Sequence, residues 1–240
     1  MIIIPDIHGR EFWRGPVKNA LNTGEHIVFL GDYLDPYEDE YIYPREAYEV
    51  FVDIMELKAA HPLDITLLLG NHDLHYVEYL LAGGRKDYIR AEKIKERLDN
   101  NSDLFDMAMA MKAGGKSFLF THAGIKWGWI KFNKDLFDGV GADDIADYLN
   151  ALWHVKNRRP QLLKALAQVS VSRWGRYAYG SPIWNDIDDM EDDIEELPGW
   201  YQVFGHSQQE KEPVIVRHFA CLDCRKAFRL NEETGKIEVL

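Results

Sequence analysis

The side chains best suited to chemistry in this 240-residue sequence are carboxylates, one amide and several imidazoles. They are Asp6 and His8 in "PDIHGR", Asp32 and Asp35 in "LGDYLDP", Asn71 and His72 in "LGNHD", His122 in "FTHAG" and His206 in "FGHS". Hard oxygen donors with imidazoles, and no thiolate among them, suit a first-row divalent ion such as Mn2+, Fe2+ or Zn2+. The set is too large for one ion and about large enough for two.

Scattered over the chain, these groups work together only if the fold gathers them. Each closes an apolar, β-rich run, in residues 1–10, 26–36, 64–73, 116–124 and 200–207. Short runs of Ile, Val, Leu and Phe suit central strands covered on both faces. In open α/β sheets ligands collect at the carboxyl ends of the strands, where all of these groups would converge. Between the runs lie helical patterns. In "PREAYEVFVDIMELKAAHP", Ala47, Val50, Phe51, Ile54 and Leu57 share one face, with Pro44 near the start and Pro62 past the end. Segments 87–112, 142–156 and 160–169 are expected to be helical as well. Alternating strands and helices predict an α/β architecture. The tail, "PVIVRHFACLDC" and "KAFRLNEETGKIEVL", predicts strands with a turn at Glu233-Thr234-Gly235, a hairpin at the end of a sheet. With no repeat and no linker, one domain over 1–240 is expected.

The bulk properties exclude some partners. A net charge of −12 opposes binding to a nucleic-acid backbone, although a bound metal can reverse the field locally and admit a phosphorylated substrate. No stretch reaches the roughly 18 apolar residues of a membrane span. "MIIIPDIHGR" has no basic leader, and two cysteines make no disulfide framework, so a cytoplasmic protein is expected. Cys221 and Cys224 read as structural thiols, and Trp127 and Trp129 as packing residues. His26, His61, His75, His154 and His218 read as surface or packing histidines, with only His75 near enough to reach a cleft rim. In the acidic run 186–196, Ile187, Met190 and Ile194 are spaced as one helical face. The run reads as a solvated helix or loop, or as a lid whose Asp188, Asp189, Asp192 and Asp193 repel highly anionic substrates or welcome a cationic one.

The blocks "DIHG" (6–9), "GDYLD" (31–35), "GNHD" (70–73), "THAG" (121–124) and "GHS" (205–207) resemble, in order and spacing, those of the calcineurin-like metallophosphoesterases. The nearer likeness is to the phosphoprotein-phosphatase-like branch, which includes bacterial serine/threonine phosphatases and diadenosine tetraphosphatases, because its second block also carries Asp three residues after the first. The resemblance implies a four-layer α/β/β/α sandwich of two mixed β-sheets flanked by helices. It implies two divalent metal ions, Mn2+ favoured over Fe or Zn. Asp6 and His8 would bind the first, Asp32 would bridge, and Asn71, His122 and His206 would bind the second. It further implies phosphomonoester hydrolysis by a metal-activated hydroxide, with His72 as general acid and Asp35 orienting its ring. The expected partner is a phosphorylated substrate, either a phosphoprotein or a small phosphoester. Nucleotide or dinucleoside polyphosphate hydrolysis, and a non-catalytic metal-binding module, stand as alternatives.

The sequence also departs from that pattern. Pro36 and Leu69 occupy positions where relatives often carry arginine, Asp186 stands in "WND" where bacterial relatives show Trp-x-Arg, and Gln208 replaces a second fifth-block histidine. Arginine grips phosphate through two parallel N–H bonds, so Arg10, Arg173 and Arg176 become the candidates for substrate binding.

Overall fold

Alternation along very short strands sets the layers. In β1 (Ile2–Ile4), Ile2 and Ile4 join helix-facing apolar residues while Ile3 faces the opposite way. The same split holds in β2 (Ile27–Phe29), where Ile27 and Phe29 pack outward and Val28 inward. In β6 (Lys116–Phe120) the inward residues are Phe118 and Phe120, and Leu119 faces helices. Every one of these side chains is buried, as runs apolar on both faces require. The computed structural model describes residues 1–78, 81, 84–192 and 194–240.

Among the described residues one sheet has the order β11-β10-β1-β2-β3-β4. Its remaining members are β3 (Ile65–Leu68), β4 (Phe105–Asp106), β10 (Phe228–Leu230) and β11 (Ile237–Val239). The second sheet runs β5-β6-β7-β9-β8, with β5 (Met109–Ala113), β7 (Tyr201–Phe204), β8 (Val214–Ile215) and β9 (Phe219–Cys221). Both sheets are mixed. β1, β2, β3 and β4 are parallel, with Ile3 opposite Val28 and Val28 opposite Thr66, whereas β10 pairs antiparallel to β1. β6, β7 and β9 are parallel, and β5 and β8 are antiparallel to their neighbours. Between the sheets lie Ile3, Val28, Leu30 and Leu68 from one side and Phe118, Phe120, Val203 and Ala220 from the other.

Helices α1 (Arg14–Thr23), α2 (Pro44–Ala60) and α4 (Ala91–Asn100) contribute Val17, Phe51 and Ile94 to the apolar cluster against the first sheet. α2 forms as its spacing predicts. Ala47, Val50, Phe51 and Ile54 are buried, and the Tyr43 backbone N–H donates to Glu46 Oε2 at 2.9 Å to close its first turn. α5 (Trp127–Phe132), α6 (Ile145–His154) and α7 (Arg159–Leu166) bring Trp129, Leu149 and Leu162 into the cluster that includes Leu119. The result is two mixed sheets flanked by helices. No helix among the described residues is long and apolar enough to cross a membrane.

The structure corrects two expectations. Segment 87–112 is α-helical only over α4, followed by a single 3-10 turn at Ser102–Leu104; residues 105–106 and 109–113 are strands, paired with β3 and β6. Leu67 opposite Phe105 and Phe118 opposite Met111 show why: sheet edges supply backbone partners that a continued helix would forgo. In the acidic run, α8 (Ile187–Glu191) buries Met190 but ends before Ile194, which is exposed; Asp193 lies outside the described residues. The terminal hairpin β10–β11 forms at the sheet edge, its turn closed by Gly235 N–H donating to the Asn231 carbonyl at 2.8 Å. Cys221 and Cys224 are buried free thiols in separate apolar clusters, and Trp129 is fully buried in the core.

Candidate metal centre

The sequence blocks meet where the parallel strands of both sheets end. Asp6 and His8 follow β1, Asp32 and Asp35 follow β2, and Asn71 and His72 open α3 (Asn71–Val77) after β3. His122 follows β6 and His206 follows β7. The turns that aim them are strained: His8, Asp32, Asp35 and His206 have φ of +46°, +52°, +57° and +62°. Such left-handed conformations in non-glycine residues persist only where neighbours over-determine them. The backbone N–H groups of Ile7 and His8 both donate to the Asp32 carbonyl, at 3.0 and 2.8 Å. The His206 N–H donates to both Asp6 carboxylate oxygens, at 3.0 and 3.1 Å. Asp73, the last residue of "GNHD", accepts from the N–H groups of Asp32, Tyr33 and Gly70 at 2.8–2.9 Å and so ties the second block to the third. Two glycines are required for space: a Cβ on Gly205 would overlap Asp6 Oδ1, and one on Gly70 would overlap Asp32 Oδ1.

Two buried donor groups share one residue. Asp6, His8 and Asp32 form one, and Asp32, His122 and His206 the other, each with its ligand atoms within 4.8 Å of one another. Asp32 Oδ2 stands 3.5 Å from His8 Nε2 and 3.5 Å from His122 Nε2. His8 Nδ1 donates to the Leu34 carbonyl at 2.7 Å and His122 Nδ1 to the Leu30 carbonyl at 2.9 Å, which leaves both Nε2 atoms as bare lone pairs. His122 Nε2 also faces Asn71 Oδ1 at 3.0 Å and His206 Nδ1 at 3.1 Å. A single proton can serve only one of these contacts. Acceptors crowded around a shared carboxylate are what divalent cations resolve, so the donor set fits a pair of them.

The electrostatics agree. Burial raises Asp6 to about 6 and Asp32 to about 8, and burial lowers His8, His122 and His206. Without a cation the pocket therefore favours neutral carboxyls and neutral imidazoles. A bound cation keeps the imidazoles neutral and ionises the acids. Below about pH 7 the lowered imidazoles oppose the raised acids, because the unfolded chain takes up protons on its histidines; above it only the acids act. Acids whose folded pKa lies above the unfolded value hold protons that unfolding releases, so apo stability falls as pH rises between the two values. Above pH 7 the buried imidazoles are neutral in both folded and unfolded protein, so Asp32, at about 8, sets the slope: the metal-free protein should lose about 3 °C or more in Tm between pH 7 and pH 9, and saturating Mn2+ should remove that slope. A flat apo profile in a thermal scan would contradict the burial of these carboxylates. Asp35 and Glu40, which are held below their ordinary values, act only at lower pH.

Beside the donor groups lies a second constellation. His72 Nδ1 donates to Asp35 Oδ2 at 2.9 Å, and His75 Nε2 stands 2.6 Å from the same oxygen. The Tyr76 hydroxyl donates to Asp35 Oδ1. Burial pushes Asp35 upward, but the hydrogen bonds from His72 and His75 outweigh it and hold the carboxyl below its ordinary value. Burial lowers His72 to about 4. His75, expected as a surface or packing residue, is fully buried on this carboxylate. The available signal was its i+3 spacing from His72, which puts both rings on one face of α3.

The arginine candidates are placed differently from one another. Arg10 is buried and bound to Glu40 at 2.7 and 2.9 Å, with a longer bond to the Asp6 carbonyl. Arg173 adjoins the pocket: Nη2 donates to Ser207 Oγ at 2.9 Å and to the His206 carbonyl at 3.1 Å, and Nε lies 2.5 Å from Asp186 Oδ2. Arg176 is exposed. The sequence reading missed Arg85, whose Nη2 lies 3.1 Å from His72 Nε2 and whose Nη1 donates to the Asp35 carbonyl at 2.7 Å. It also missed Asp223, just past β9, a buried carboxyl pushed well up by burial and by the charge of Asp6.

The family model of the calcineurin-like phosphoesterases matches residues 1–215. The chain belongs to that family. This phosphoesterase has the fold of a cold-active protein-tyrosine phosphatase from a psychrophilic Shewanella species, with a TM-score of 0.55, 16% identity, and cover of the whole of this chain and 79% of that one. It likewise resembles a protein serine/threonine phosphatase from Saccharomyces cerevisiae with similarity to human phosphatase PP5, with a TM-score of 0.57, 12% identity, and cover of the whole of this chain and 78% of that one. At such identities the likeness is one of fold.

Proposed function

We propose that this phosphoesterase hydrolyses phosphomonoesters at a pair of divalent metal ions, Mn2+ being the favoured metal. Asp6 and His8 would hold one ion, Asn71, His122 and His206 the other, and Asp32 would be shared between them. The observation that carries this reading is the position of Asp32 Oδ2, equally distant from the ring nitrogens of the two donor groups. When bound, the cations activate a water for in-line attack and neutralise charge on the phosphate.

The protein's own groups do the rest. His72 Nε2 holds the proton that goes to the departing oxygen, and a phosphate dianion beside the ring favours that protonated form. Asp35 accepts the Nδ1 proton and fixes the ring's direction, while His75 and Tyr76 hold Asp35 in place. The burial that lowers His72 also keeps bulk water from competing for that proton.

Turnover of p-nitrophenyl phosphate by Mn2+-loaded protein, abolished by chelation and restored by metal, is the expected result. A phosphopeptide panel run against nucleotides and dinucleoside polyphosphates then identifies the substrate class. Preference for the polyphosphates would replace the monoester reading, and metal binding without any turnover would leave a non-catalytic module.

A further inference from the structure

We propose that Arg85 is the group that grips the substrate's phosphate, taking the part left open by Pro36 and Leu69. The inference rests on the phosphoesterase reading above and adds a residue that no sequence block contains.

Charge pairing singles it out. Arg10 and Arg225 share the carboxylate of Glu40, and Arg173 binds Asp186, so each of these three is already engaged in an ion pair within the protein. Among the described residues no carboxylate lies within ion-pair distance of Arg85. Its contacts are the Asp35 carbonyl, the His72 ring nitrogen and the face of Tyr37, whose centroid lies 3.6 Å from the guanidinium carbon. A half-buried guanidinium that meets only neutral acceptors retains its full charge and several N–H donors for an incoming oxyanion.

Position supplies the second argument. Nη2 touches His72 Nε2, the atom placed against the leaving oxygen. A phosphate seated between His72 and the Asp32 bridge therefore lies within one hydrogen bond of Arg85. The fork is also held in advance, by the Asp35 carbonyl on one nitrogen, by the Tyr37 ring beneath, and by a backbone at φ +57°. On binding, Nη2 exchanges the His72 nitrogen for a phosphate oxygen. That exchange leaves Nε2 free to face the leaving group.

The test is phosphate binding to Mn2+-loaded protein by calorimetry, with turnover followed in parallel. Arg85→Ala should weaken inorganic phosphate at least tenfold and raise KM for p-nitrophenyl phosphate by a similar factor. Arg85→Lys, which keeps the charge without the fork, should lose less. Mn2+ stoichiometry should match the wild type in both variants, which separates loss of the anion contact from collapse of the centre. Arg85→Gln, which preserves much of the packing on Tyr37, serves if the alanine variant does not fold. Wild-type phosphate affinity in the substituted proteins overturns the proposal, as does a wild type that binds Mn2+ but no phosphate. A wild type that binds phosphate and hydrolyses nothing sinks the hydrolase reading alone, because the binding arm still reports on Arg85.

Discussion

Asp32→Asn should strip the centre of metal and lower kcat/KM by about a thousandfold or more. The substitution is nearly isosteric, and its amide oxygen can still accept the His72 backbone N–H, which Asp32 Oδ1 accepts at 2.8 Å. The loop therefore keeps its shape. What changes is the other atom: an NH2 group replaces Oδ2 between the lone pairs of His8 and His122. That donor satisfies both rings where cations should sit, so the metal-free variant should be more thermostable than metal-free wild type at pH 8. The burial that raises Asp32 to about 8 no longer acts on a carboxyl at that position. Elemental analysis, a thermal scan and kcat/KM make one experiment. A variant with full metal content and full rate would remove the bridge from the mechanism.

His72→Asn should show the next largest loss, and the loss should depend on the leaving group. For serine phosphate, whose alkoxide departs poorly without a proton, kcat should fall by about a hundredfold to ten-thousandfold. For p-nitrophenyl phosphate, whose phenolate departs readily, the fall should be much smaller. The comparison isolates the proton, since the proposed metals, Asp35 and Arg85 would be common to both substrates. Equal losses on the two substrates would assign His72 to binding or positioning and leave the general acid to be found elsewhere.

Much of this was legible in the sequence because chemically distinctive residues close each β-rich run. The side chains of Asp32 and His122 could be placed at strand ends without knowing which strands are neighbours. The strands at 105–106 and 109–113 were not legible, since their character is set by partners in β3 and β6 rather than by their own pattern. Nor was Arg85, whose place beside His72 depends on a backbone turn at positive φ well away from any block. Arg173 and Asp186 show a related limit. An acidic residue where relatives carry arginine suggested a lost cation, whereas the structure shows it capping α8 and pairing with an arginine from another segment. Such compensation between distant positions leaves no local trace.

The seven-residue helix α3 begins at Asn71 and presents His72, His75 and Tyr76 in its following turns. A proposed ligand of the second ion and the proposed proton donor thus belong to one rigid body. A substitution beneath that helix that tilts it moves both at once. Variants selected for a new leaving-group preference should therefore also shift in metal preference, and the two traits should prove hard to breed apart.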